Sequence, residues 1–270
     1  MALCKTDAIV LRSYRHGETS RIAILYSKAF GKTKVIAKGA RNPKSRFGAA
    51  LEPLTEITAV LYYKQGREVH TLGQADLLSV FPEAKSNLQK LPYASALVEL
   101  TDHLAAYEEP NIAVYRLLQG CLAGIERAPE AVAEKFLWHF QLRMAELLGY
   151  RPQFARCAQC GGAVTDEKLR FDLVGGGPVC AVCREGRGAQ REHGPDGGEP
   201  YVELGREAAA FLHKLQGASP EHVERVTTRV GYRQEIRGML AAFLAYHTED
   251  RRKLKSLSFL AKMSPRTSGP

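Results

Sequence analysis

Several things are missing from this sequence, and each absence excludes a class. Nowhere in the 270 residues do apolar side chains run uninterrupted for the roughly 18 residues that a membrane-crossing helix needs. The opening MALCKTDAIVLRSYR carries charges where a secretion signal carries its apolar core. A reducing, cytoplasmic setting is therefore expected, in which six cysteines act as metal ligands or buried thiols and not as disulfides. Catalytic signatures are missing as well: there is no G-x-S-x-G, no H-E-x-x-H, and no H-x-E ahead of P-C-x-x-C. Gly31-Lys32-Thr33 echoes the end of a phosphate-binding loop, but Tyr26 stands where that loop needs its first glycine, and no helix opens after it. Glu108-Glu109 and Glu249-Asp250 read as solvated loop or helix-end carboxylates. The expectation is a binding protein and not an enzyme.

What is present is positive charge, unevenly placed. The whole chain has 38 Lys+Arg against 29 Asp+Glu, a net of +9. Residues 1–80 hold 13 of those cations and 6 of the acids, so almost all of the excess lies in the first third. Between 12 and 46, Arg12, Arg15, Arg21, Lys28, Lys32, Lys34, Lys38, Arg41, Lys44 and Arg46 face one acid, Glu18. That imbalance points to a polyanion.

The same third is patterned as strands. DAIVLRSY (7–14), SRIAILY (20–26), KTKVIAK (32–38), TEITAVLYY (55–63) and EVHTLGQADLL (68–78) are rich in β-branched and aromatic residues and separated by Gly and Pro turns. Alternation places Lys32, Lys34, Ile36 and Lys38 on one face, a row of lysines along a sheet. Five short strands suit a closed barrel of the OB type, whose open face tracks single-stranded nucleic acid. Tyr14, Tyr26, Phe30, Phe47, Tyr62 and Tyr63 are candidate stacking rings, most of them expected in the core. From Phe81-Pro82 onward the period becomes helical: an amphipathic helix or pair at 85–107, then helices to about 127, at 130–149, 205–217 and 220–247. Trp138 and His139 read as packing residues.

Cys157-Ala-Gln-Cys160 and Cys180-Ala-Val-Cys183 form two C-x2-C pairs nineteen residues apart. Each turn sets two thiolates on one side of an ion, and Gly161-Gly162 lets the first turn curl. LRFDLVGGGPV between them reads as two short strands and a Gly turn, a zinc ribbon. Four protein ligands leave no open position, so a structural Zn2+ is expected at Cys157, Cys160, Cys180 and Cys183. Cys4 and Cys121 have no partner motif. The expected fold is α+β: a basic five-stranded OB-type barrel over 1–81, a helical domain over 82–154 and 205–263, a four-cysteine zinc-ribbon insert at 155–190, a flexible loop at 191–204 that overlaps the Gly-rich stretch 185–200, and a disordered tail at 264–270.

The stretch GKTKVIAKGARNPKSRFGAALEPLT (31–55), preceded by Glu18-Thr19-Ser20-Arg21, resembles the N-terminal signature of the RecO family of bacterial recombination mediators. LAAFLAYHTEDRRKLKSLSFL (240–260) is similar to that family's closing helix with its L-K-S element, here Leu254-Lys255-Ser256, followed by Leu257 where the family often has a basic residue. The resemblance implies a non-enzymatic, cytoplasmic, nucleoid-associated DNA repair protein of the RecF pathway. It implies binding of single- and double-stranded DNA and annealing of complementary strands. With RecR, such a protein helps load RecA on gaps coated by single-stranded-DNA-binding protein, whose acidic C-terminal tail it contacts. The expected DNA contacts are Arg12, Arg15, Arg21, Lys32, Lys34, Lys38, Arg41, Lys44 and Arg46. Lys135, Arg143 and Arg151, beside apolar helix faces, are candidates for the acidic tail. The competing reading is an RNA-binding structural factor with a zinc ribbon.

Overall fold

A computed structural model describes residues 2–186, 200–227, 230–248 and 254–258. Most of the Gly-rich stretch (187–199) and the 264–270 tail lie outside the described residues. The chain divides into two compact units, one of residues 1–133 and 253–270, the other of residues 134–252.

The first unit is built on strands β1 (Ala2–His16), β2 (Ser20–Ser27), β3 (Gly31–Ala37), β4 (Thr55–Tyr63) and β5 (His70–Ser79). They close into a barrel in the order β1-β2-β3-β5-β4, the OB arrangement expected from the sequence. Closure uses a parallel pairing of β3 with β5 (Val35 with His70) and a long β1, which pairs with β4 through its first part and with β2 through its second. A bulge at Leu11, between the paired Val10 and Arg12, lets β1 bend between these partners. Inward residues such as Val10, Leu25, Val35, Ile57, Leu61 and Leu72 form one core with Phe47 and Leu51, which enter from a 3-10 turn at Gly48–Leu51.

Ile22, Ile24 and Tyr26 point the other way and are still buried. Helices of the same unit account for this. They are α1 (Pro82–Ser86), α2 (Leu91–Leu104) and α3 (Ile112–Arg127). The Tyr26 hydroxyl donates to the Asn111 carbonyl at 3.3 Å, and the Tyr115 hydroxyl on α3 donates to Glu56 of β4 at 2.6 Å. Asn111 caps α3, its side-chain oxygen accepting from the Ala113 and Val114 amides. The expected helix or pair at 85–107 is a pair, divided where Asn87 accepts from the amides of Gln89 and Lys90. The L-K-S element returns to this unit: the Lys255 and Ser256 amides and the Ser256 hydroxyl all donate to the Glu99 carboxylate on α2.

The second unit contains α4 (Ala133–Leu147), a three-stranded antiparallel sheet of β6 (Lys168–Asp172), β7 (Gly177–Val179) and β8 (Tyr201–Gly205) in the order β7-β6-β8, and helices α5 (Ala181–Gly186), α6 (Arg206–Gly217) and α7 (Arg233–Thr248). Trp138 and His139 are core residues: the indole packs edge-on to Phe211 at 5.9 Å, and His139 Nδ1 donates to the Leu215 carbonyl at 2.9 Å. Burial holds that imidazole below the ordinary histidine range. Two expectations change here. Residues 201–204, read as flexible loop, lie in β8 and pair with β6. The helix expected over 220–247 is a 3-10 segment, Pro220–Arg225, followed after the β-branched Val226-Thr227 and Gly231 by α7.

Candidate nucleic-acid interface and metal centre

The four cysteines meet at the base of the β6–β7 hairpin. Cys157 opens a knuckle in which its amide donates to the Gly162 carbonyl (2.8 Å) and its carbonyl accepts from the Gly161 amide (2.9 Å), with Gly161 at φ +71. The Ala158 amide donates to Pro178 on β7, which sets this knuckle against the second pair. Cys180 and Cys183 flank the start of α5. All four sulfurs lie within 4.8 Å of one another, Cys160 and Cys180 at 3.8 Å, and none is in a disulfide. A tetrahedral ion with metal–sulfur bonds of about 2.3 Å spaces its ligands by about 3.8 Å, so the cluster has the size of a metal site. Burial alone would raise the Cys157 thiol; the amides of Cys160, Cys180 and Gln159 more than offset it and bring the thiol down to about 6. Hydrogen bonds from Cys183 to Cys180 and Cys160, with burial, push its thiol up to about 12. The arrangement can hold an ion, and with four protein donors it leaves no position for a substrate.

The nine expected DNA contacts fall into two groups, while Lys28 of the same basic stretch is paired with Asp7 at 2.7 Å. Arg15 and Arg21 are register partners at the outer end of the β1–β2 hairpin, and Arg21 is in turn opposite Ala37 at the end of β3. Lys38, Arg41, Lys44 and Arg46 follow on the loop that leaves that end. The loop is tied back to the hairpin: the Arg41 amide donates to the Thr19 carbonyl at 2.9 Å and its guanidinium to the Gly17 and Glu18 carbonyls. Arg21 donates to Ser13 at 3.1 Å, and Arg46 lies over the Phe47 ring. No carboxylate is within ion-pair distance of these six among the described residues. Five are exposed and Arg21 is half-buried.

Arg12, Lys32 and Lys34 form the other group, and each has an acid. Arg12 pairs with Asp102 (3.3 Å), Lys32 with Asp102 (3.1 Å) and Lys34 with Glu68 (2.9 Å). The expected open row of lysines is thus corrected. Lys32, Lys34 and Ile36 do share the outward face of β3, while Lys38 lies just past its end, and the segment joining α2 to α3 crosses that face, with the Glu108 amide donating to the Lys32 carbonyl at 2.9 Å. Lys32 is 7 % exposed, and Lys38 alone of the row is exposed with no acid in ion-pair distance among the described residues. Of the candidate rings, Tyr26 and Phe47 are core, Phe30, Tyr63 and His70 form a stack, and Tyr14 and Tyr62 are exposed. Tyr107, exposed beside Lys32, was not legible because its place depends on a crossing made 75 residues after Lys32 (107 − 32).

The candidates for an acidic tail are engaged within the second unit. Lys135 Nζ donates to the Val226 carbonyl at 2.8 Å and is partly buried, which holds its ammonium below the usual lysine range. Arg143 and Arg151 share Glu146, at 2.6 and 3.4 Å.

Comparison with known proteins places the whole chain. Residues 1–81 match the family model described as Recombination protein O N terminal, and residues 85–258 match Recombination protein O C terminal. A "DNA repair protein RecO" of Pelotomaculum thermopropionicum is 33 % identical over 100 % of this chain and 98 % of its own length. Proteins of the same description from Nocardioides sp. (32 %, covering 96 % of this chain and 100 % of the relative) and Rubrobacter xylanophilus (36 %, covering 68 % and 73 %) are also similar.

Proposed function

The chain belongs to the RecO family of DNA repair proteins, and from that premise we propose that it is a non-enzymatic mediator that binds DNA through the end of its barrel and anneals complementary strands. The observation that carries this reading is the set Arg15, Arg21, Lys38, Arg41, Lys44 and Arg46, six cations at one end of the barrel with no carboxylate paired to them among the described residues. Annealing requires two polyanions to approach each other. Cations on a hairpin and an adjoining loop neutralise phosphates of both and lower their repulsion, and phosphate contact is blind to sequence, as a general repair factor requires. Lys32 drops out of the contact set, since its ammonium is buried against Asp102.

The resident ion at the four cysteines is inferred to be Zn2+, a metal that accepts four thiolates in tetrahedral array and, so enclosed, acts as a structural brace. The remaining roles follow the family: action with RecR, loading of RecA on coated gaps, contact with the acidic tail of single-stranded-DNA-binding protein, and work in the cytoplasm. For that tail Arg151 is the better candidate, being exposed, whereas Lys135 already serves a backbone carbonyl.

The deciding experiment is annealing of complementary oligonucleotides already coated with single-stranded-DNA-binding protein, followed with and without this protein. Faster annealing of the coated strands is expected, weakening as salt is raised. No acceleration, together with preferential binding of folded RNA, would replace the DNA-repair reading with the RNA-binding one.

A further inference from the structure

Lys32 has a second neighbour besides Asp102. Its ammonium lies 4.4 Å from the centroid of the Tyr107 ring. Tyr107 sits on the segment between α2 and α3, and that backbone is fixed against β3. Lys32 and Tyr107 form a parallel bridge, and the Glu108 amide donates to the Lys32 carbonyl. Gly31, at φ +62, admits the crossing because any Cβ there would lie 2.1 Å from the Glu109 carbonyl oxygen. The ring is nevertheless 48 % exposed. It therefore has a buried cation on one side and solvent on the other.

A second open ring stands nearby. Tyr14, 40 % exposed, is outward on β1 in the row Tyr14–Ile22–Ile36, next to the row Arg12–Ile24–Lys34. Arg12, two residues before Tyr14 on the same face, reaches Asp102, the same carboxylate that holds Lys32 under Tyr107. The hydrogen bond that Lys34 donates to Glu68 keeps its ammonium above the ordinary range, with smaller contributions from the Tyr14 and Tyr107 phenols. Two exposed rings, Arg12 and Lys34 thus share one patch, with Lys38 just past the end of β3. Ile22, Ile24 and Tyr26 on the same outward face are buried, so the rings mark where the covered part of the face ends.

We infer that Tyr14 and Tyr107 form a stacking platform for the bases of single-stranded DNA, which gives the protein its means of telling a single strand from a duplex. This rests on the DNA-binding reading and extends it from phosphate to base. Every base has a π-face that stacks on an aromatic side chain without regard to sequence, and a duplex hides those faces. The cations at the barrel end hold the backbone of either form; the rings hold bases only where they are unpaired. Lys32 behind Tyr107 draws on the electron-rich face of the ring and fixes its plane, so it serves as a positioning residue.

The test uses the full chain and three probes of equal length: a thymidine oligonucleotide, its abasic deoxyribose-phosphate counterpart and a duplex, each titrated by fluorescence anisotropy. Tyr14→Leu and Tyr107→Leu are each expected to weaken thymidine-oligonucleotide binding about tenfold, the scale of one lost stack. Binding of the duplex and of the abasic probe should not change. Tyr14→Phe and Tyr107→Phe should behave as the unaltered protein. Equal loss on all three probes, or no loss on the oligonucleotide, overturns the platform. Should Tyr107→Leu fail to fold, the unaltered protein still decides: abasic and thymidine probes bound equally well would overturn the inference. An unaltered protein that binds none of the probes would instead sink the DNA-binding reading itself.

Discussion

At Lys32 an ammonium that local alternation assigns to the outside of a strand is answered by an acid of the same unit. The cation and Asp102 make a largely buried pair behind the exposed Tyr107 ring, and Arg12 shares the carboxylate from its more exposed side. Removing one partner of such a pair leaves the other desolvated, a larger loss than the pair's net worth. Lys32→Met is expected to lower stability by about 2 kcal/mol, below the full value for a broken buried pair because Arg12 still faces Asp102. Urea unfolding measures this, and the salt dependence of DNA binding should stay as it was, since Lys32 touches no phosphate. The parity of Lys32, Lys34 and Lys38 was legible in KTKVIAK because a strand has period two. What covers one end of their shared face was not, because that depends on a segment brought back from residues 105–110. The same holds for the rings: Tyr14 was visible as a candidate, whereas Tyr107 gains its place only from the crossing over Gly31.

Among the elements, the four-cysteine hairpin was the most legible, since two C-x2-C turns and a Gly-rich reversal are local signals with local consequences. β8 was not. Its five residues, Tyr201–Gly205, lie beyond a long polar Gly-rich stretch and gain strand geometry by pairing with β6, from Asp172, 29 residues before Tyr201, to Lys168, 37 residues before Gly205. Pairing of that kind is set by tertiary contact and leaves little trace in five residues. The division of labour within this sheet makes a prediction. The four sulfurs hold the Cys157 knuckle, β7 and the start of α5, while β8 is joined to β6 alone among the strands. A structural zinc contributes on the order of 10 kcal/mol of binding free energy to the small folds it organises. Stripping it with a strong chelator should release protection from hydrogen exchange at 157–162 and 177–183 and leave the amides of the barrel protected. Elemental analysis of the untreated protein should find one zinc per chain, and Cys160→Ser should lower that occupancy.

For the whole molecule the decisive quantity is where unpaired charge lies, and the sequence disclosed its amount and region more readily than its arrangement. Nine cations were expected to act together; three are paired with two acids, Asp102 and Glu68, and six gather where the β1–β2 hairpin meets the loop after β3. Counterion release turns this into a number. Six phosphates neutralised on a single strand give a slope of log K against log salt of roughly −4, and three give roughly −2. Replacing Lys38, Arg41 and Lys44 together by Ala should therefore halve the slope, with affinity falling most at low salt. These side chains are exposed and make no ion pair among the described residues, so the melting temperature should move little. Removing Arg116 and Arg127, exposed cations on α3, should leave the slope unchanged. An unaltered slope in the triple variant would mean that phosphate is held elsewhere, and the annealing mechanism built on the hairpin end would go with it.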